Sequence, residues 1–215
     1  IANSLPTAPD VELVEEGTAT FAQLAASGHH SCVMDSSGGI ECWGNDTDGG
    51  VSDAPTDVGY TVLSRGGYHS CALDASGGIE CWGLDSYGQV ADAPTGVGYT
   101  AITADLYGGC ALDASGGVDC WGNDTYYQVT DAPTDTGYAA VSVGSYHNCT
   151  LDASGTIDCW GADSWGQVSS RPPGSGYAQV SSGSFFSCAL DASGGVECWG
   201  DDFGLQVSNA PTDSG

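Results

Sequence analysis

Residues 71–83 read CALDASGGIECWG, and this stretch returns with small changes four more times along the chain. The first cysteines of the copies follow one another at a fixed spacing of 39 residues, at Cys32, Cys71, Cys110, Cys149 and Cys188. A constant period of this length, with one supersecondary unit per copy, is typical of repeat architectures. The sequence therefore predicts five repeats, at about 22–60, 61–99, 100–138, 139–177 and 178–215.

The quoted stretch has the pattern of a β-hairpin, because two alternating segments flank the turn-forming residues Ala75–Gly78. Asp74 opens the turn, and Gly77 falls where a positive φ is required, which is typical of a type I turn followed by a glycine bulge. This register places Cys71 opposite Cys81 on adjacent strands. Cysteines in that relation lie at the separation that a disulfide needs.

Ten cysteines in five evenly spaced pairs indicate an oxidising compartment. A zinc site is the rival explanation for paired cysteines, but no CxxC spacing occurs in the sequence. The hairpin register predicts the bridges Cys32–Cys42, Cys71–Cys81, Cys110–Cys120, Cys149–Cys159 and Cys188–Cys198.

Each repeat offers four strand candidates and no helical period of useful length. In the second repeat the candidates are Tyr60–Leu63, His69–Asp74, Gly78–Trp82 and Gln89–Ala91. Four-stranded units of about 40 residues bury both faces only by stacking around an axis. We therefore predict an all-β fold, a β-propeller of five four-stranded blades with one disulfide in each blade hairpin. The recurring tryptophans are expected to pack between the blades, at Trp43, Trp82, Trp121, Trp160 and Trp199.

Residues 1–20 lie outside the repeat and form a predicted N-terminal extension to the repeat domain at 21–215. The extension is either a surface terminus or an arm in which Val11–Val14 adds a strand to a neighbouring sheet. The first strand also leaves two arrangements open. Phe21–Leu24 completes the last blade and closes a five-bladed ring, or the repeats meet the next molecule head to tail.

The charge balance excludes one class of partner. The chain has 28 acidic residues against two basic ones, a formal net charge of -26. Such a surface repels phosphate backbones, so we expect no nucleic-acid binding. No apolar run is long enough for a membrane span. The acidic excess is typical of a high-salt or acid-tolerant extracellular setting or of cation binding, and composition leaves both open.

Histidine recurs without forming a catalytic or metal-binding pattern. His30, His69 and His147 stand two residues before the first cysteine of their copies, but Gly108 and Phe186 hold that place in the other two. A position that accepts glycine and phenylalanine is not a metal ligand, so these histidines are predicted to pack or hydrogen-bond locally. No GxSxG nucleophile elbow and no unique Ser-His-Asp triad occur, so we expect that the protein is not an enzyme.

The loop after each tryptophan carries an aspartate, and two of these loops carry a glycosylation sequon. The aspartates are expected to cap the loop through Asx-type hydrogen bonds, with calcium coordination as the weaker alternative and no other cofactor predicted. They are Asp46, Asp85, Asp124, Asp163 and Asp202. Asn45 and Asn123 begin N-x-T triplets in this loop and are candidate glycosylation sites.

Aromatic residues follow the WG corner in four of the five repeats, and we expect them on one rim of the propeller. They either contact a protein or glycan partner or fold back over their own loops. The candidate contact residues are Tyr87, Tyr126, Tyr127, Trp165 and Phe203.

The pattern HSCALDASGGIECWGLDSYGQV at residues 69–90, followed by APTGVGYTAI at 93–102, resembles the RCC1-like repeat in its secreted bacterial and archaeal form. In that form paired cysteines flank the hairpin, and WG precedes an xGQ turn. The resemblance covers residues 21–215 and implies a bladed propeller, although members commonly have seven blades and this chain has five repeats. It implies no single activity, because the family ranges from guanine-nucleotide exchange to β-lactamase inhibition. The exchange factor that acts on chromatin needs a basic surface, which this chain lacks.

The sequence thus predicts a secreted or cell-surface, non-enzymatic structural or protein-interaction module, with a subunit of a surface assembly or filament as one form of it. A carbohydrate-binding propeller and an inhibitor of a secreted enzyme are the alternatives.

Overall fold

The computed structural model describes residues 20–26 and 28–211. Within them, fifteen strands form five antiparallel sheets of three strands, each built from strands that are consecutive in sequence. We call these sheets blades 1 to 5. Blade 1 contains β1 (Phe21–Ala26), β2 (His30–Asp35) and β3 (Ile40–Gly44), and blade 2 contains β4 (Tyr60–Arg65), β5 (His69–Asp74) and β6 (Ile79–Gly83). Blade 3 contains β7 (Tyr99–Asp105), β8 (Gly108–Asp113) and β9 (Val118–Gly122), and blade 4 contains β10 (Tyr138–Val143), β11 (His147–Asp152) and β12 (Ile157–Gly161). Blade 5 contains β13 (Tyr177–Ser182), β14 (Phe186–Asp191) and β15 (Val196–Gly200).

The hairpin predicted from the repeat is confirmed. In blade 2, Cys71 pairs with Cys81, and the turn is closed by the Asp74 amide donating to the Gly78 carbonyl at 2.9 Å. Gly77 has a φ of 79°, a left-handed conformation that favours glycine. The Asp74 carboxylate accepts hydrogen bonds from the amides of Ser76 and Gly78, at 2.7 and 2.9 Å. The same turn recurs in the other four blades, so one local sequence fixes the register of every hairpin.

Each blade contains the disulfide that this register predicts. The bridges join facing residues of the second and third strands, with Cα atoms 4.0 to 4.1 Å apart. No free cysteine remains among the described residues. The pairs are Cys32–Cys42, Cys71–Cys81, Cys110–Cys120, Cys149–Cys159 and Cys188–Cys198.

The fourth strand of each blade does not form. Gln89–Ala91 lies in consecutive turns rather than in a strand. The Asp85 carboxylate accepts hydrogen bonds from the amides of Val90 and Ala91, at 2.8 and 3.0 Å, and so turns these donors inward to the loop. Amides held by a side chain in this way are not available to a sheet ladder. The four-stranded prediction is therefore wrong, and the blades have three strands.

Consecutive blades stack through apolar clusters. One cluster joins Cys32 and Met34 of blade 1 to Leu63, Ala72 and Trp82 of blade 2. Equivalent clusters join blade 2 to blade 3 and blade 4 to blade 5. The predicted packing of tryptophans between blades is observed for Trp82, Trp121, Trp160 and Trp199, which are buried. For Trp43 the prediction is wrong, because this side chain is 51% exposed.

The first strand does not join the last blade to close a ring in the described structure. β1 pairs with β2 of its own blade, and the fifth sheet contains only β13, β14 and β15. The first strands of neighbouring blades pack together from β1 through β13, but no comparable packing joins β13 back to β1 in the described structure. The arrangement in which Phe21–Leu24 completes the last blade is therefore wrong. The predicted arm at Val11–Val14 lies outside the described residues.

No helix in the described part of the chain has the length and apolar character to cross a bilayer.

Candidate contact surface

The turns between the first and second strands place one ring-bearing side chain from each blade on the same end of the molecule. These residues repeat with the 39-residue period and form what we call the aromatic rim: His29, Tyr68, Tyr107, Tyr146 and Phe185. This row was not among the contact residues predicted from the sequence. The signal that reveals it is a ring at the same repeat position in all five copies.

Side chains of the rim contact one another across the blade boundaries. His29 stacks on Tyr68 with ring centroids 4.3 Å apart, and Tyr146 stacks on Phe185 at 4.9 Å. Tyr107 meets Tyr146 in a tilted arrangement at 5.7 Å. A hydrogen bond with Tyr146 also raises the pKa of the Tyr107 hydroxyl, so the Tyr107 hydroxyl remains neutral at physiological pH. Rings in these geometries attract one another beyond their burial, so the rim contains two groups of contacting rings, His29 with Tyr68 and Tyr146 with Tyr107 and Phe185.

Two of the predicted contact residues join the rim. Tyr87, from the loop of blade 2, meets Tyr107 of blade 3 edge-on at 5.6 Å, and Tyr126 meets Tyr146 in the same way at 5.7 Å. These rings therefore pack over the neighbouring blade rather than over their own loops. Both remain about half exposed, at 50% and 44%.

A buried glutamine holds each of these loops in position. The side-chain oxygen of Gln89 accepts a hydrogen bond from the Tyr87 amide at 2.7 Å, while its backbone carbonyl accepts one from the Trp121 indole at 2.9 Å. Gln128 does the same for Tyr126 and Trp160. One residue thus links the position of a surface ring to the packing between blades.

Three other predicted contact residues are exposed but lie outside this network of ring contacts in the described structure: Tyr127, Trp165 and Phe203. Tyr127 adopts a φ of 64° at the repeat position where Gly88 and Gly166 have φ near 80°. Holding a tyrosine in the left-handed region costs about 1–2 kcal/mol. Phe203 belongs to blade 5, the last blade in the part of the chain that the structure describes.

The loop aspartates act as caps. Asp46 accepts hydrogen bonds from the amides of Val51 and Ser52, which lower the pKa of its carboxyl group. Asp85, Asp124, Asp163 and Asp202 accept the equivalent pair of amides. No group of three or more acidic, histidine or cysteine residues in the described ranges is arranged to hold a metal ion. Calcium binding by these aspartates has no support beyond their chemistry.

The three strand histidines lie in the interior, beneath the rim. His30 and His147 are buried, and their Nε2 atoms hydrogen-bond the hydroxyls of Ser70 and Ser187 in the next blade, at 2.8 and 2.7 Å. These bonds cross a blade boundary, whereas the sequence predicted local ones. His69 is also buried, and neither ring nitrogen has a partner in the described structure, because Gly109 stands at the repeat position where Ser70 and Ser187 bond His30 and His147.

Burial dominates the electrostatics of these histidines. It lowers the pKa of His69 and of His147 to about 4, so both are neutral at physiological pH. A neutral, enclosed imidazole serves packing between blades and is not placed to act on a substrate.

A polar cavity of about 480 Å³ lies where the first strands of all five blades converge. Its wall contains Arg65, one of the two basic residues of the chain, and Asp105, which interrupts the glycines found at that repeat position in its neighbours. Ser145 donates a hydrogen bond to the Asp105 carboxylate at 3.0 Å, and burial raises the pKa of that group.

The candidate glycosylation sites are local turns. The Asn45 side chain accepts a hydrogen bond from the Thr47 amide at 2.8 Å, and Asn123 accepts one from Thr125 at 2.9 Å. Asn45 is exposed, whereas Asn123 is partly buried. Glycosylation at either residue remains a prediction.

Comparison with known proteins adds a family signal. Residues 63–89 and 177–204 match the regulator of chromosome condensation (RCC1) repeat. No curated protein matches the chain as a relative.

Several solved structures share the fold. The ectodomain of the receptor kinase CR4 from Physcomitrella patens is 26% identical, with a TM-score of 0.68 over 90% of this chain and 55% of its own. The CRINKLY WD40 ectodomain of the Arabidopsis thaliana receptor kinase ACR4 is 23% identical, with a TM-score of 0.67 over 91% of this chain and 68% of its own. Prp20p from Saccharomyces cerevisiae is 19% identical, with a TM-score of 0.67 over 84% of this chain and 58% of its own. The chain thus spans little more than half the length of two of these proteins, and its two matched segments and its fold resemble those of RCC1-like repeat propellers.

Proposed function

We propose that the chain is an extracellular, non-enzymatic module that binds a protein partner through the aromatic rim. The observation that carries this proposal is a group of contacting rings from blades 3 to 5, Tyr107, Tyr146 and Phe185, which the loop tyrosines Tyr87 and Tyr126 extend. Surfaces rich in tyrosine are typical of protein interfaces, because the ring buries apolar area while its hydroxyl accepts or donates hydrogen bonds.

The extracellular location is supported by the disulfides. Five bridges in five blades are stable only where thiols are oxidised. The receptor-kinase structures that this chain resembles are ectodomains, which agrees with that setting.

The strained Tyr127, next to the loop tyrosine Tyr126, supports a binding role for the loop surface. Tyr127 keeps an exposed ring at a backbone position suited to glycine, and it contributes nothing to the core in return. Strain of this kind is typical of functional surfaces rather than of structural ones.

Charge defines the chemistry of the partner. A net charge of -26 attracts a basic surface and steers its approach, with rates that fall as salt rises. Arginine and lysine side chains also bind over the faces of tyrosine and tryptophan rings. We therefore expect a partner whose contact surface is rich in arginine and lysine.

Glycan binding is the second candidate, supported by the exposed Trp165 and by the loop tyrosines. A sugar site needs polar groups that converge beside the stacking ring. Asp85 and Asp124 are the nearest carboxylates in the sequence, but their Oδ1 atoms are already bonded to loop amides. This engagement favours a protein partner over a glycan.

The test is a displayed random-peptide library screened against the immobilised chain, with a glycan array probed in parallel. We expect arginine- and lysine-rich peptides to be selected, and their binding to weaken in Tyr87→Ala and Tyr126→Ala. Val97→Ala is the matched control, because Val97 is 72% exposed on the connection between blades 2 and 3. Selective glycan binding that Tyr87→Ala and Trp165→Ala abolish would favour the sugar reading instead. Peptide binding unaffected by the rim variants would contradict the proposal.

A further inference from the structure

A histidine and a serine at fixed repeat positions form a polar bridge between blades. At the junction of blades 1 and 2, His30 Nε2 lies 2.8 Å from Ser70 Oγ, and at the junction of blades 4 and 5, His147 Nε2 lies 2.7 Å from Ser187 Oγ. These side chains are buried. The bridge therefore gives a partner to polar atoms that the stacking of the blades removes from water.

The junction of blades 3 and 4 has different residues at these two positions. The 39-residue period puts Gly108 in the place of the histidine and Asn148 in the place of the serine. Asn148 donates a hydrogen bond from Nδ2 to the Gln128 carbonyl at 3.0 Å. Because a carbonyl oxygen only accepts, this bond fixes the orientation of the amide and leaves Oδ1 on its other side.

The Oδ1 atom of Asn148 is a buried acceptor. Asn148 is 2% exposed, and none of the described residues donates a hydrogen bond to this oxygen. An unpaired buried amide oxygen is costly, and most such groups in folded proteins bond either to another protein group or to an ordered water. This oxygen therefore needs a donor from outside the protein.

A small cavity lies at the same junction. Its volume is about 10 Å³, and its wall contains Gly108, Ser145 and Asn148. A single buried water needs roughly 10–15 Å³. The cavity thus has the size for one water and is too small for an organic ligand.

The surroundings of the cavity define its occupant. A Cβ atom at residue 108 would lie 2.4 Å from the Trp121 carbonyl oxygen, so the backbone of β8 leaves no room for a histidine there. On the wall from blade 4, the Ser145 hydroxyl lies 3.0 Å from both the Asp105 carboxylate and the Ser184 hydroxyl. The Ser145 oxygen has two lone pairs, of which Ser184 uses at most one, so it can accept a further hydrogen bond.

We propose that the junction of blades 3 and 4 binds one structural water, which donates a hydrogen bond to Asn148 Oδ1 in the place of the histidine of the other junctions. Its second hydrogen bond goes to Ser145 Oγ. A metal ion is disfavoured, because none of the described residues that line the cavity carries a carboxylate. A buried cation needs such a charge or a full set of oxygen ligands.

A crystal structure of the chain at atomic resolution tests the proposal directly. We expect one ordered oxygen in the cavity, about 2.6–3.0 Å from Asn148 Oδ1. A cavity without such a peak overturns the proposal. A metal ion overturns it as well, and is recognised by several oxygen ligands arranged around one peak.

The same site is tested in solution by the relaxation dispersion of water deuterons, which counts waters held for longer than the tumbling time of the protein. Asn148→Leu replaces the amide by an apolar side chain of similar size, so we expect the count to fall by one. Asn209→Leu makes the same change at an exposed loop position and leaves the count unchanged. A folded Asn148→Leu variant that retains the wild-type count overturns the proposal. Near-ultraviolet circular dichroism verifies folding, and the wild-type crystal structure decides the question if this variant does not fold.

Discussion

Replacing Trp82 and Trp43 by alanine, one at a time, tests whether blade stacking holds the fold together. The two residues occupy the same repeat position in neighbouring hairpins and differ in their surroundings. Trp82 lies buried between blades 1 and 2, and its indole donates to the Gly50 carbonyl at 3.2 Å. Trp43 lies on the uncovered face of blade 1 and is 51% exposed.

The expected magnitudes follow from burial. Removing a fully buried tryptophan lowers the free energy of unfolding by about 3–5 kcal/mol, because the apolar contacts are lost and a cavity remains. A half-exposed side chain without a covering blade contributes about 1 kcal/mol or less. The difference between Trp82→Ala and Trp43→Ala is thus about 3 kcal/mol. For a chain of this size this corresponds to a difference in Tm of about 6–12 °C.

The assay is urea unfolding at pH 7, followed by far-ultraviolet circular dichroism, which reports mainly on the backbone. Both variants are measured at the same protein concentration. Equal m-values make the two free energies comparable. Equal losses of stability for the two variants would refute the reasoning, because the blade 1 face would then be as well packed as an internal interface.

Three further predictions concern the interior and the turns. The pKa values of His69 and His147 are lowered to about 4 in the folded protein, so below pH 6.5 the unfolded chain binds more protons than the folded one. The stability that these neutral histidines contribute is complete above pH 6.5 and is lost as the pH falls towards 4. We expect about 2 kcal/mol per histidine to be lost between pH 7 and pH 5, and urea midpoints that do not move over this interval would contradict the assignment. Reducing the disulfides removes cross-links that each span 10 residues and contribute about 3 kcal/mol in the chain-entropy model. The thermal midpoint should therefore fall by tens of degrees. An unchanged midpoint in the presence of reductant would contradict a structural role for the disulfides. Gly77→Ala should destabilise the chain by about 1–3 kcal/mol more than Gly194→Ala. Both glycines have positive φ, but only at Gly77 would the new Cβ lie 2.5 Å from the Tyr99 amide of the next blade. Equal unfolding free energies for the two variants would show that the next blade does not contact this turn closely.

Much of the fold was predictable because its information is local. The hairpin at Asp74–Gly78 is specified by a turn signal within a few residues, and the cysteine pairing follows from its register. The fourth strand at Gln89–Ala91 could not be judged in the same way. Its residues have strand-like character, but the outcome depends on whether the Asp85 side chain captures their amides, and that depends on the three-dimensional form of the loop.

The contact surface was predictable only in part. Sequence spacing identified the exposed ring of Tyr87, but the ring on which it rests, Tyr107, belongs to the next blade. Contacts across a blade boundary depend on how the blades are stacked, and no local pattern encodes them. The same limit applies to Trp43, whose sequence context equals that of Trp82 while its surroundings differ. Position within the array, rather than local sequence, decides whether such a side chain is covered.

The recurring bond from each buried tryptophan indole to a carbonyl 32 residues earlier has a consequence for how such chains change in length. Every junction uses the same offset, so duplication or deletion of one whole copy by recombination between equivalent positions leaves all remaining junctions intact. The number of repeats can therefore change without any new kind of contact between blades. The span of the arc grows or shrinks by single modules, while the chemistry between them stays constant.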